Sequence, residues 1–156
     1  MPEIAPCLWF DGQAEEAVEF YLSIFPNSGI DSIARCGPAG PGPDGSVLTI
    51  AFHLDGRPFL ALNGGPQFQF TEALSLMVPC RNQDEVDRYW HLLGADGEYV
   101  QCGWLKDRYG VSWQVVPTAA LDMVSNPAGG NSQKMFEAMY QMQKLDLAAL
   151  QQAYES

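Results

Sequence analysis

The sequence predicts an α+β fold of two βαβββ modules followed by a helical tail. Three observations predict it. The order strand, helix, three strands occurs twice, over residues of about 3–66 and about 72–117. Apolar spacing within each segment matches its type, with period 2 for strands and 3.6 for helices. Beyond Pro117 the spacing turns helical through residues 118–156. The full length of 156 residues is that of one compact domain, 1–156, with a sizeable core.

Residues 4–10 are apolar and end at Asp11-Gly12, a strand leading to a helix start. Ala14, Ala17, Val18, Tyr21, Leu22 and Phe25 follow at i, i+3, i+4, i+7, i+8 and i+11, the stripe of an amphipathic helix. Glu15, Glu16 and Glu19 face water, and the early glutamates suit the positive end of the helix dipole. Pro26-Asn27 stops the helix. Residues 29–36 make a strand, and the glycine- and proline-rich run 37–45 is a loop. Residues 46–54 alternate Leu48, Ile50, Phe52 and Leu54 with Val47, Thr49, Ala51 and His53. Asp55-Gly56 is a hairpin signal, and 58–63 is the returning strand.

The second round opens with a strand at 73–78. Asn82 with Glu85 spells a capping box, ahead of a stripe of Val86, Tyr89, Trp90 and Leu93 that Gly94 and Gly97 end. Residues 98–107 give one or two short strands; a continuous one would put Cys102 and Lys106 on one side. Asp107-Arg-Tyr-Gly110 carries turn chemistry, and 111–116 is the last strand, closed by Pro117. Alternation sends Val111, Trp113 and Val115 to one face. Ser112, Gln114 and Val116 share the other, a polar pair where a plain core strand has none. Between the modules, Ala5, Cys7 and Trp9 correspond to Ala73, Ser75 and Met77.

In the tail, 118–125 and 132–143 read as helices, the second with Met135, Met139 and Met142 at i, i+4 and i+7 beside Phe136. Such a stripe is packing surface. Asp146 caps a last helix that contains Leu147, Leu150 and Tyr154.

The 19 acidic residues against 8 basic ones give a net charge of -11, with the cations scattered. That field repels phosphate backbones and anionic lipid, which argues against nucleic-acid and membrane partners. Met1-Pro-Glu-Ile4 lacks a basic leader region, and no apolar run reaches the length of a membrane span. Cys7, Cys36, Cys80 and Cys102 show no CxxC spacing, so the expectation is a cytoplasmic protein with free thiols.

Several motifs together carry a family resemblance: Leu8-Trp-Phe-Asp-Gly-x-Ala-Glu-Glu-Ala17 with Phe20-Tyr21, Asn63-Gly-Gly-Pro66, Gln83-x-Glu-x-Asp-x-x-Trp90, Cys102-Gly-Trp-Leu-Lys-Asp-x-x-Gly-Val-Ser-Trp-Gln114, and Met142-x-Lys-x-Asp-x-x-x-Leu150. They resemble the PhnB-like branch of the vicinal-oxygen-chelate superfamily, which also holds glyoxalase I, bleomycin-resistance proteins and extradiol dioxygenases. Members of the branch carry the domain label 3-demethylubiquinone methyltransferase. The resemblance implies that the modules curl into a barrel around a cavity, in a homodimer. It also implies four metal positions, on the first and last strand of each module. Here the first strands offer Ala5 and Ala73, with Cys7 and Ser75 next on the same face, and the last strands offer Ala61 or Asn63, and Gln114. One amide oxygen is a poor basis for a divalent cation, so no metal and no cofactor are expected. His53 and His91, the two histidines, read as surface or satisfied residues. Methyl transfer from S-adenosylmethionine in the Rossmann manner needs a glycine-rich strand-to-helix turn, which is not found.

The expected ligand site is a small-molecule pocket lined by Cys7, Trp9, Asn63, Ser75, Met77, Ser112 and Gln114, where aromatic wall mixes with orienting polar groups. Cys102 would become a nucleophile only if a cation such as Lys106 lowered its pKa. Lys106 and Asp107 read as a plain surface pair. The enzyme alternative is a metal-dependent lyase, isomerase or dioxygenase. The other is a structural or interaction module whose helical tail is the working surface.

Overall fold

The computed structural model describes residues 3–156; Met1 and Pro2, the start of the segment read above for a leader, lie outside the described residues. The chain forms two compact units, 1–70 and 71–156. In the first, β1 (Cys7–Phe10) is followed by α1 (Ala14–Ile24), β2 (Gly29–Arg35), β3 (Val47–Leu54) and β4 (Arg57–Asn63). The sheet order is β1-β4-β3-β2, with β1 parallel to β4 and the other neighbours antiparallel. Asp55 and Gly56 both take positive φ, 48° and 73°, as a two-residue hairpin that follows strand twist requires. Helix α1 buries Ala14, Ala17, Val18, Tyr21 and Ile24 and packs on β3 and β4. Leu8, Phe10, Ile50, Phe52 and Ala61 are buried in the same unit. Each large side chain of this set contributes about 1.5–3 kcal/mol by leaving water.

The second unit repeats the plan. It holds β5 (Ser75–Cys80), α2 (Gln83–Gly94), β6 (Glu98–Tyr99), β7 (Trp104–Lys106) and β8 (Ser112–Pro117). The order β5-β8-β7-β6, with β5 parallel to β8, matches the first sheet strand for strand. After it come α3 (Thr118–Ser125), a single 3-10 turn at Pro127–Gly129, α4 (Ser132–Tyr140) and α5 (Leu147–Glu155). The expected caps form. Asn82 Oδ1 accepts from the Glu85 N–H at 2.9 Å, and Asp146 Oδ1 accepts from the Ala149 N–H at 3.1 Å. The Glu85 carboxylate reaches back to the Arg81 N–H, one residue before the expected box partner. Met135 is buried with Val116, Ala120, Met123, Leu145 and Leu150, while Met139 and Met142 pack against that cluster.

Two expectations are corrected and one is narrowed. The strand pairing does not close into a barrel: each module's first strand pairs with its own last strand, and among the described residues no ladder joins the two sheets. Residues 98–107 take the two-strand form of the two expected, because Cys102 and Gly103 adopt φ of 63° and 82° and break the alternation that a continuous strand would have used to align Cys102 with Lys106. Their N–H groups donate instead to the Met142 and Gln143 carbonyls, each at 2.8 Å. Asp107 is not a surface residue. It is 3% exposed, and Lys106 pairs with Glu72.

The Asp107 carboxylate organises the turn before β8. Its Oδ1 accepts from the Tyr109 N–H at 2.9 Å and the Val111 N–H at 3.1 Å, and its Oδ2 accepts from Trp113 Nε1 at 2.9 Å. Asp107→Ala leaves three donors without this acceptor, two of them buried, and is expected to lower stability by about 3 kcal/mol or more. Asp107→Asn keeps one acceptor oxygen and should lose less. Denaturant unfolding followed by tryptophan fluorescence measures both.

Candidate functional site

Much of the motif pattern is structural. Gln83, at the start of α2, donates from Nε2 to the Leu145 carbonyl at 3.0 Å and accepts at Oε1 from the Leu147 N–H at 2.8 Å. Asp87 pairs with Lys144 at 3.0 Å. The Gln83-x-Glu-x-Asp motif therefore fastens the segment between α4 and α5, as the Cys102-Gly103 turn does with its two N–H donors. Trp90 stacks on Tyr99 at 4.8 Å. What these contacts leave over is the opposite face of the second sheet.

That face has two rungs. Register puts Ser112 between Ser75 on β5 and Lys106 on β7, with Glu98 beyond on β6; it puts Gln114 between Met77 on β5 and Trp104 on β7. Strand neighbours in register point to the same side. Gln114 Nε2 donates to Ser75 Oγ at 2.8 Å. Ser112 is 1% exposed, and its hydroxyl has no hydrogen-bond partner. Ser75, Gln114, Trp104 and Lys106 around it are half-buried, and Met77 is 46% exposed. Native interiors seldom leave a buried hydroxyl unpaired, since the desolvation cost is about 1–3 kcal/mol.

The first sheet carries Cys7 and Trp9 at the positions of Ser75 and Met77, but its last strand differs. Cys7 pairs with Leu60 and Trp9 with Leu62, so Leu60 and Leu62 stand where the second module has Ser112 and Gln114. The fold thus accepts leucine at both places. Asn63 is in register with Phe10, on the side of the sheet opposite Cys7 and Trp9. Its Oδ1 accepts from the Ala14 N–H at 2.9 Å; its Nδ2 donates to Glu15 Oε1 at 2.9 Å and the Val47 carbonyl at 3.1 Å. It supplies from a distant strand the cap that Gln13 does not give α1. Trp9 is held by its own turn: Nε1 donates to the Gly65 carbonyl at 2.9 Å, and Phe68 meets the ring edge-on at 4.9 Å. A Cβ on Gly64 would collide with the Trp9 indole, so that position admits no side chain without movement. Sequence alternation could not reveal these roles of Asn63 and Gln83, because each reaches a group that only folding brings near; Asp107 bonds N–H groups two and four residues on, in keeping with its turn chemistry, and only its burial is a tertiary outcome.

The positions that the resemblance assigns to a metal therefore carry a methyl or a thiol (Ala5, Cys7), a methyl or a hydroxyl (Ala73, Ser75), a methyl or an amide already bonded to α1 (Ala61, Asn63), and the amide of Gln114. They do not fit a divalent cation, which needs charged or imidazole donors. Among the described residues no three His, Cys, Asp or Glu side chains gather as a metal site. His53 Nδ1 lies 3.0 Å from Asp31 Oδ1 in an exposed pair. Desolvation holds the Cys7 and Cys102 thiols above the ordinary range, even though Cys7 as a residue is exposed. Burial, and then the charge of Glu85, pushes Cys80 up to about 12. None of these three is an activated nucleophile. The glycine- and proline-rich segment after β2 leads to another strand, not to a helix N-terminus. A surface groove of about 650 Å³, lined by residues 129–132 and 154–156, contains none of the side chains discussed above except Tyr154. No helix among the described residues is long and apolar enough to cross a membrane.

The sequence profile of the 3-demethylubiquinone-9 3-methyltransferase family matches residues 2–116. The PhnB protein of Bacillus cereus is 39% identical, with 74% of this chain and 99% of that one covered and a TM-score of 0.68. Protein PA1353 of Pseudomonas aeruginosa shares the fold at 19% identity and a TM-score of 0.62, covering 75% and 98%. The fosfomycin resistance protein FosX of Listeria monocytogenes, crystallised with Mn(II) and sulfate, shares it at 14% identity and 0.53, covering 80% and 96%. Among curated proteins none matches at a significant level.

Two outcomes follow from the geometry. Asn63→Ala should destabilise the fold by about 1–2 kcal/mol through the lost cap, as read from the denaturant midpoint. Cys102 should be alkylated by iodoacetamide more slowly than free cysteine at pH 7.5, with the rate rising as pH passes above 9, since its folded pKa is raised and the thiol form persists below it. Mass spectrometry of the modified peptide reads that rate.

Proposed function

We propose, for a chain that belongs to the PhnB-like 3-demethylubiquinone-9 3-methyltransferase family of the vicinal-oxygen-chelate superfamily, that it binds a small organic molecule on the Ser75, Met77, Ser112 and Gln114 face without a metal ion. One observation carries this reading. The Ser112 hydroxyl is buried and unpaired beside an amide that has hydrogen-bonding capacity left after its bond to Ser75. The fold does not demand polar residues there, as Leu60 and Leu62 in the first module indicate. A ligand acceptor or donor at this face satisfies Ser112, and its apolar body lies on Trp104 and Met77.

Cys7 and Trp9 are proposed to serve the corresponding surface of the first module. Asn63 is left out, because its amide is committed to α1 and to Val47. The manganese of FosX belongs to that protein and is not carried over to this chain, whose candidate positions offer no set of charged or imidazole donors. The methyltransferase name of the family is likewise not carried over, since the segment that would have to hold the cofactor joins two strands. We further propose that residues 1–156 act as one glyoxalase-like domain, in a cytoplasmic homodimer.

A thermal-shift screen of metabolites and planar aromatic compounds tests the reading. Wild type is expected to gain stability with at least one compound class, on the order of 2.7 kcal/mol at a hundred times Kd. Gln114→Leu should lose that gain while keeping its own unfolding midpoint close to that of wild type. A stoichiometric divalent ion retained through purification, or no stabilising compound, sinks the proposal.

A further inference from the structure

We infer that the face just described selects a monocarboxylate on a planar apolar body, held by Lys106 and Ser112 in exchange for the resident Glu72 carboxylate. This rests on the small-molecule reading above and adds the chemical class of the ligand. The two rungs divide the work. Ser75, Ser112 and Lys106, with Glu98 at the far edge, make a polar rung with one cation, and Met77, Gln114 and Trp104 make a rung with an aromatic and a thioether side chain. The rungs are two residues apart along each strand, about 6.6 Å, within reach of one aromatic ring bearing a carboxylate.

A carboxylate already occupies the cation. Lys106 is ion-paired with Glu72, at the very start of the second unit, and both side chains keep substantial exposure. Their contact holds Glu72 below and Lys106 above the usual ranges, so both stay ionised around neutrality. A ligand carboxylate that replaces Glu72 exchanges charge for charge at Lys106. It also gains what Glu72 leaves undone, because Ser112 Oγ keeps no partner while the Glu72–Lys106 pair stands. A hydroxyl-to-carboxylate hydrogen bond is charge-assisted and short, the stronger kind for a buried donor. The net charge of -11 narrows the class further. A dianionic phosphate ester would add two negative charges to that field with no second cation in either rung, while a monocarboxylate adds one.

Benzoate, with benzamide as its neutral isostere, is the probe, titrated by ligand-observed NMR into folded wild type, Glu72→Gln, Lys106→Met and Ser112→Ala. Wild type should prefer benzoate over benzamide by about tenfold. Glu72→Gln, which removes the internal competitor, should tighten benzoate by about fivefold and leave benzamide unchanged. Lys106→Met should erase the preference, and Ser112→Ala should weaken benzoate by about tenfold. The gain in Glu72→Gln cannot come from damage to the fold. Equal binding of the two probes, with no effect of Glu72→Gln, overturns the carboxylate inference and leaves a neutral ligand on the same face. Failure of benzoate to bind either wild type or Glu72→Gln also overturns it, while the broader screen decides separately whether that face binds any small molecule.

Discussion

The buried carboxylate of Asp107 is the constraint on which the second module depends. A charge removed from water costs several kcal/mol unless its oxygens are met by donors, and here two backbone N–H groups and the Trp113 indole meet them. Fixing those three groups fixes the 107–111 turn and the entry of β8. The alternation of β8 follows from that entry: Trp113 and Val115 go to the buried side with α2, and Ser112 and Gln114 to the other. A residue that looked like half of a surface ion pair thus sets the register of the strand that carries the candidate site.

The helical tail is tied to the same module at several points. Gln83 bonds both sides of Asp146, the Cys102-Gly103 turn donates to two carbonyls after α4, and Thr118 donates to the Cys80 carbonyl. Those contacts account for much of a motif pattern that would otherwise invite a catalytic explanation. The motif residues left without a structural task are few and lie together. Of these, Ser112 is the one whose chemistry is incomplete.

Duplication sharpens the same distinction. Two modules of equal topology can be compared position by position, although each also has structural contacts of its own, such as Asn63 on α1 and Asp107 before β8. Helix-facing positions agree, with Leu8 and Phe10 matched by Leu76 and Val78. The opposite faces do not, since leucines in one sheet replace serine and glutamine in the other. Difference between copies is one ground on which we propose binding, over folding, as the task of the polar rungs.

The sequence by itself determined the order of elements, the βαβββ repeat, the Asn82 and Asp146 caps, the Asp55-Gly56 hairpin and the polar face of the last strand. All of these rest on local chemistry: side-chain periodicity, dihedral preference and hydrogen bonds within about four residues. Tertiary structure decided what no local rule reaches. Asn63 caps a helix 49 residues earlier in the chain, and one step of register separates it from Leu62, the residue that shares a face with Trp9. Asp107 turned inward, Lys106 took Glu72 as its partner, and each sheet paired its first strand with its own last. Pairing between distant strands fixes which side of a sheet each residue occupies, and a shift of a single residue reverses every side.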